Sequence, residues 1–365
     1  MTTSNITQEN VKEALKVVLY MPKSDNIVNL NMLKNIEITD GKIRFAIEIP
    51  ERNKKTEDLL INQSIKALKS AFGDDFPISA DDIKVQLPQA NGLSNIKNII
   101  AVASGKGGVG KSTIAVNLAV TLAKQGFKTG LLDADIYGPS IPTMLKLEGE
   151  KPGGKQVGEK QYIQPLERYG VKCVSIGFFV EPEKALIWRG PMATGAIKQL
   201  YQDTAWGELD YLIVDLPPGT GDIHLTLVQT LSLTGSLVVT TPQKVALDDA
   251  VKAIAMFKQK DIEVPVLGLV ENMSWFTPKE LPENKYYLFG DGGGKRLAER
   301  ENIPLLGEIP IVQGVREGGD GGKPIVMDSE GEIAKIFMDI AIKLDKSVSE
   351  RNENLPPTKK VLITH

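Results

Sequence analysis

The spacing of hydrophobic residues changes along the chain, and each change predicts a different element. After Thr7-Gln8-Glu9-Asn10, the residues Val11, Leu15, Val18 and Leu19 recur at helical spacing and predict an amphipathic helix. Residues 35–49 alternate instead. Ile36 and Ile38 precede Thr39-Asp40-Gly41, and Ile43, Phe45, Ile47 and Ile49 follow, which predicts a β-hairpin turning at Asp40-Gly41. Residues 57–72 predict a second helix and residues 83–87 a strand. Helix, hairpin, helix and strand in this order imply a small α+β domain over residues 1–90, large enough to fold alone. Residues 89–95 have the composition of a linker, and the connection is placed at residues 91–97.

Beyond it, short apolar runs alternate with helical stretches. Ile99-Ile100-Ala101-Val102-Ala103 reads as a strand, and residues 114–124, with Leu118 and Leu122 four apart, read as a helix. Residues 128–133, 210–215, 237–243, 266–272 and 307–310 read as further strands. Leu212-Ile213-Val214 has the unbroken apolar character of an inner parallel strand. This alternation predicts an α/β domain over residues 98–346, a mainly parallel sheet covered by helices. Residues 347–365 are polar, contain Pro356-Pro357, and are expected to form a tail that wraps the surface or moves freely.

Composition narrows the function. A net charge of −3 predicts no broad attraction to nucleic acid or anionic membrane. No run of 18 apolar residues exists, and the first residues lack the apolar core of a secretion signal, so a cytoplasmic protein is expected. The single cysteine, Cys173, excludes an intramolecular disulfide and any two-cysteine metal or cluster site within one chain. It lies in a strand pattern and reads as a small core residue.

The chemistry is carried by Gly105-Lys106-Gly107-Gly108-Val109-Gly110-Lys111-Ser112-Thr113. It matches the phosphate loop G-x-x-x-x-G-K-[ST], and it stands between a strand and a helix as that motif requires. Its glycines let the backbone wrap a phosphate chain and aim N–H groups inward. The helix N-terminus adds partial positive charge. Lys111 can reach the β- and γ-phosphates, and the Ser112 hydroxyl can ligate Mg²⁺. Asp133 and Asp135 end a strand two residues apart, so both carboxylates can face the phosphate site. Asp215 ends the Leu212-Ile213-Val214 strand and fits the acid that holds Mg²⁺. His224 just beyond reads as helix surface or packing.

Lys106 directly after the first glycine makes K-G-G-x-G-K-[ST], which resembles the deviant Walker A of the MinD, ParA, ArsA and nitrogenase iron protein group. That resemblance implies a nucleotide-sandwich homodimer in which Lys106 reaches the phosphates across the interface. Asp135-Ile136-Tyr137-Gly138-Pro139-Ser140 resembles the group's switch I, with Asp135 orienting the attacking water or the Mg²⁺ shell. Leu216-Pro217-Pro218-Gly219-Thr220-Gly221-Asp222 resembles switch II, with the Gly219 N–H sensing the γ-phosphate. Asn272 resembles the adenine-reading asparagine, and the group places a residue near Pro310 against the adenine.

GKGGVGKST, DADIYGPS, the run Trp188 to Met192, DLPPGTGD, TTPQ, ENMS and the run Arg316 to Pro324 together resemble the Mrp/ApbC iron–sulfur cluster carrier ATPases along nearly the whole chain. The resemblance implies ATP and Mg²⁺ as ligands, slow ATP hydrolysis and cluster delivery to apoprotein clients or exchange with other iron–sulfur assembly proteins. It implies neither a nucleic-acid nor a membrane partner. The run Met21 to Leu33 resembles the small iron–sulfur-assembly-associated domain, although residues 49–55 replace the T-x-x-C-P setting often found there. A second departure concerns the C-x-x-C that usually follows E-N-M-S and bridges a cluster across the dimer: residues 274–287 contain no cysteine. Thiolate is the standard cluster ligand, so this insert is expected to dock a cluster-bearing partner. A nucleotide-switch scaffold that carries no cluster, or a positioning ATPase of MinD or ParA type, remains an alternative reading.

Overall fold

The computed structural model describes residues 6–30, 32–39, 42–49, 53–86, 94–157, 160–179, 190–260 and 262–356. The Asp40-Gly41 turn, residues 91–93 of the expected linker, Trp188 and Arg189, and residues 357–365 lie outside them. The chain divides into two units, Met1–Gly92 and Leu93–His365.

In the first unit Thr7 caps helix α1 (Gln8–Leu15) through a reciprocal pair of hydrogen bonds with Asn10. The helix ends at Leu15 and does not continue to Leu19 as the spacing predicts. Lys16 N–H turns back to Glu13 O, and Ile27 N–H donates to Val18 O. Leu19–Tyr20 is therefore drawn into a short strand β1, paired with β2 (Asp25–Asn26). Strands β3 (Leu33–Thr39) and β4 (Lys42–Glu48) pair antiparallel, and β5 (Ile83–Gln86) lies parallel to β4. Helix α2 (Lys54–Phe72) starts three residues before the predicted Glu57 because the Asn53 side chain accepts from Lys55 N and Thr56 N. Val11, Leu15, Ile43, Phe45, Ile47, Leu60 and Leu68 close the core.

The second unit follows strand-helix alternation. Its elements are β6 (Ser94–Ala103), α3 (Lys111–Lys124), β7 (Thr129–Asp133), α4 (Ile141–Met144), a hairpin of β8 (Gly153–Val157) and β9 (Lys160–Gln164), β10 (Leu166–Arg168), β11 (Val171–Ser175), α5 (Gly190–Gln202), β12 (Gly207–Asp215), α6 (Asp222–Thr230), β13 (Gly235–Thr240), α7 (Lys244–Phe257), β14 (Val266–Phe276), α8 (Gly293–Glu301), β15 (Leu305–Ile311), α9 (Gln313–Asp320) and α10 (Glu332–Asn354). The main sheet runs β10-β11-β7-β12-β6-β13-β14-β15. Only the β10–β11 pair at its edge is antiparallel.

Alternating side chains of β12 feed two separate cores. Tyr211 and Ile213 join α3 and α10 on one face, while Leu212 and Val214 join α5, α6 and α7 on the other. Helices cover both faces, so the middles of the inner strands are apolar, as in Leu131-Leu132 and Leu212-Ile213-Val214, and Asp133 and Asp215 stand at strand ends. The phosphate-loop strand β6 sits between β12 and β13, where connections leave in opposite directions along the sheet. That switch point is where open α/β sheets bind ligands.

Two boundaries differ from the sequence expectation. Residues 94–97 belong to β6, because Ser94 to Ile96 pair with Gly207 to Leu209. Residues 347–354 are the last two turns of α10 and not a free tail. Val348 continues the apolar stripe of Phe337, Ile340, Ala341 and Leu344, and Asn352 Nδ2 donates to Asn98 Oδ1 at 2.9 Å. The polar composition of these turns hides that stripe. Among the described residues no helix is long and apolar enough to cross a membrane.

Candidate nucleotide-binding site

The loop from Ser104 to Gly110 turns from β6 into α3, and two of its glycines are required by geometry. Gly110 has φ +85°, and a Cβ there would meet Asn272 Nδ2 at 2.2 Å. A Cβ on Gly105 would meet the Asp249 carbonyl oxygen at 2.1 Å, so α7 can approach the loop only at a glycine. A cavity of about 210 Å³ opens beside the loop, lined by Gly107, Gly108, Lys111, Ser112, Thr113 and Asp135 among others.

Lys111 is 6% exposed at its foot. Its Nζ lies 2.6 Å from Asp215 Oδ1, 3.5 Å from Asp135 Oδ2 and 3.3 Å from Ser112 Oγ. Asp133 stands deeper, where its Oδ2 accepts from Ser175 Oγ at 2.8 Å and its Oδ1 from Asp135 N–H at 3.2 Å. Burial, then the neighbouring Asp215 charge, pushes the Asp133 carboxyl up to about 8. Asp215 is pushed up by burial and held back by the Lys111 ammonium. Asp135 Oδ1 and Asp215 Oδ2 are buried and, among the described residues, have no hydrogen-bond partner. Two orphaned carboxylate oxygens beside a hydroxyl fit a hard divalent cation. Among the described residues no three His, Cys, Asp or Glu converge on one point. Such a cation would complete its shell from phosphate and water, as Mg²⁺ does.

The remaining sequence-derived residues fall into distinct places. Lys106 is half-buried, with its carbonyl accepting from Ser104 Oγ at 2.9 Å, and among the described residues its ammonium meets no carboxylate. Val109 is buried in the core behind the loop. Gly219 N–H donates to Ser104 O at 2.9 Å in the nucleotide-free protein, and Pro218 is the residue of that segment that lines the cavity. Asn272 does not line the cavity either. Its Nδ2 donates to Val109 O at 2.9 Å and supports the loop from behind. Pro310 is buried within β15.

His224, expected as surface or packing, is buried, and its ring nitrogen meets a backbone carbonyl. Ser104, Ser175 and Met144 were not singled out from the sequence. Ser175 reaches Asp133 only because β11 pairs with β7 in the register Ser175–Asp133.

Cys173 lies fully buried in β11, and burial raises its thiol well above the ordinary range. It offers no thiolate. Where a C-x-x-C would stand, β14 runs out to Phe276, which bridges antiparallel to Tyr286. Lys285 Nζ sits 4.1 Å over the Trp275 ring. Leu281, Tyr286, Tyr287 and Leu288 are exposed on this segment.

The profile of a family described as "NUBPL iron-transfer P-loop NTPase" matches residues 95–345, and that of "Iron-sulfur cluster assembly protein" matches residues 8–75. The iron-sulfur cluster carrier protein of Synechocystis is 42% identical over 353 residues, covering 94% of this chain and 98% of its own. That of Haemophilus influenzae is 40% identical over 363 residues, covering 96% and 94%. An Arabidopsis thaliana iron-sulfur protein required for mitochondrial NADH dehydrogenase is 48% identical over 264 residues, covering 72% and 82%. Among solved structures, a nucleotide-binding protein of Archaeoglobus fulgidus in complex with ADP superposes with a TM-score of 0.57 at 40% identity, covering 66% of this chain and 92% of its own. The Pyrococcus furiosus cell division ATPase MinD superposes with a TM-score of 0.51 at 25% identity, covering 68% and 98%.

Proposed function

The chain belongs to the NUBPL iron-transfer P-loop NTPase family, and from that premise we propose that it binds and slowly hydrolyses ATP and uses the cycle in iron–sulfur cluster transfer to apoproteins. The observation that carries the reading is Lys111, buried between Asp215 and Asp135 at the foot of the phosphate loop. An ammonium held by carboxylates in the free protein is placed to exchange them for phosphate oxygens. Lys111 neutralises the β- and γ-phosphates, and the α3 N-terminus and loop amides hold the rest of the chain. Ser112, Asp135 and Asp215 would hold Mg²⁺, which supplies charge neutralisation on the phosphate oxygens. Asp135 orients the attacking water. Lys106, free of carboxylate partners among the described residues, adds charge from the neighbouring protomer of a homodimer. Asn272 and Pro310 border the adenine once the base is seated. Hydrolysis then needs mainly positioning and electrostatic stabilisation.

The cluster is cargo, and this chain supplies no thiolate pair for it. We propose that the aromatic segment Trp275 to Leu288 docks a partner that brings the cluster ligands. A cytoplasmic protein acting on protein partners, not on nucleic acid or membrane, is in line with the net charge of −3. Lys111→Ala is expected to abolish Mg-ATP hydrolysis, measured as phosphate release. Intact turnover in that variant refutes the assignment.

A second reading is a nucleotide-switched scaffold that holds no cluster, and the burial of the one thiol favours it. Anaerobic incubation with iron and sulfide, followed by iron counting, separates the two. Stoichiometric iron uptake rejects the scaffold, and none rejects a cluster held by this chain alone.

A further inference from the structure

The segment after Asp215 has few ways to hold its own shape. Pro217 and Pro218 carry no N–H, so from Leu216 to Gly219 only those two end residues offer backbone donors. Leu216 N–H donates to Val102 O at 3.1 Å, and Gly219 N–H to Ser104 O at 2.9 Å. The third anchor is a side chain: His224 Nδ1 lies 3.1 Å from Pro217 O. His224 is 2% exposed in the first turn of α6, tilted edge-on against Phe257 at 6.1 Å between ring centroids. The acceptor is a carbonyl, so Nδ1 carries the proton and Nε2 is a bare acceptor. Nε2 is buried and has no hydrogen-bond partner among the described residues. Burial holds the ring neutral, pushing it down to about 4. A leucine would fill the same space without an orphaned nitrogen, so packing alone does not account for an imidazole here.

The anchors differ in mobility. Gly219 has φ +96° and open space where a Cβ would stand, so its peptide can rotate. Pro217 has a fixed φ and a latched carbonyl. Pro218, between them, lines the phosphate cavity. We propose that His224 is a positioning residue for nucleotide hydrolysis, latching the Pro217 carbonyl through Nδ1–H and so fixing the pivot about which the Gly219 peptide moves from Ser104 to the terminal phosphate. The proposal rests on the reading of this chain as an ATPase.

The test compares three full-length variants. The amide nitrogen of asparagine occupies the place of Nδ1, that of glutamine the place of Nε2, and leucine offers neither. His224→Leu and His224→Gln are expected to lower kcat about tenfold, the effect of one hydrogen bond of about 1.4 kcal/mol in the transition state. Binding of a fluorescent ADP should change less than about twofold. Amide exchange at Gly219 in the nucleotide-free protein should quicken about tenfold. His224→Asn should restore both turnover and exchange protection. If asparagine fails as badly as leucine in turnover while exchange stays slow, the imidazole acts as an acid–base group and the proposal falls. Unchanged turnover and exchange in both leucine and glutamine variants also overturn it. Should leucine not fold, the asparagine–glutamine contrast decides. Absence of turnover in the unmutated protein would refute the ATPase reading, whereas the exchange comparison still tests the latch.

Discussion

Asp133→Asn tests the electrostatics of the cage directly. An aspartate whose carboxyl rises from 3.8 to about 8 on folding keeps its proton in the native state across that window, while the unfolded chain loses it. The native state then binds more protons, so stability is lost as pH rises from about 4 to about 8. Each pH unit contributes about 1.4 kcal/mol, so from pH 5 to pH 8 the loss is about 4 kcal/mol. Asparagine does not titrate. Its oxygen can still accept from Asp135 N–H, and at Ser175 the direction reverses, the amide nitrogen donating to the Oγ that donates to the carboxyl in the native protein. The variant should therefore gain about 4 kcal/mol on the native protein between pH 5 and pH 8. All three tryptophans, Trp188, Trp206 and Trp275, lie in the second unit, and Trp206 is fully buried. Urea unfolding of the nucleotide-free protein, followed by tryptophan fluorescence at several pH values, reports on that unit. A difference between the two proteins that does not change with pH refutes the assignment of a buried, protonated Asp133.

Lys106→Ala is expected to lose turnover while ADP binding, followed by fluorescence titration, stays close to that of the unmutated chain; equal turnover argues against a role for this lysine across a dimer interface. Val348→Asp puts an unpaired charge under α10 and should destabilise the second unit by roughly 3 kcal/mol or more, visible as a lower urea midpoint. An unchanged midpoint would mean the last turns of α10 are not docked.

The aromatic segment Trp275 to Leu288 marks a limit of reading by motif. E-N-M-S is intact, yet the residues after it present exposed rings and a lysine stacked on Trp275 where thiols are usual. The phosphate loop is legible from nine consecutive residues because its chemistry is local: glycines for the backbone path, a lysine for charge, a hydroxyl for metal. Helix ends were less legible. Thr7 and Asn53 cap their helices by short-range bonds, but α1 stops early because Val18 pairs with Ile27, a choice made by tertiary contact.

By itself, then, the sequence specified an α/β nucleotide-binding domain behind a small α+β domain, and it named Lys111, Asp135 and Asp215 as candidates. It did so through strand-and-helix periodicity and residue chemistry, both of which act over a few positions. Only the tertiary structure decided that Lys111 rests on an aspartate 104 residues away, that Ser175 holds Asp133, and that Asn272 braces Val109. Those contacts depend on the order in which parallel strands assemble, and that order is fixed by burying apolar faces across the whole sheet and not by any short stretch of chain.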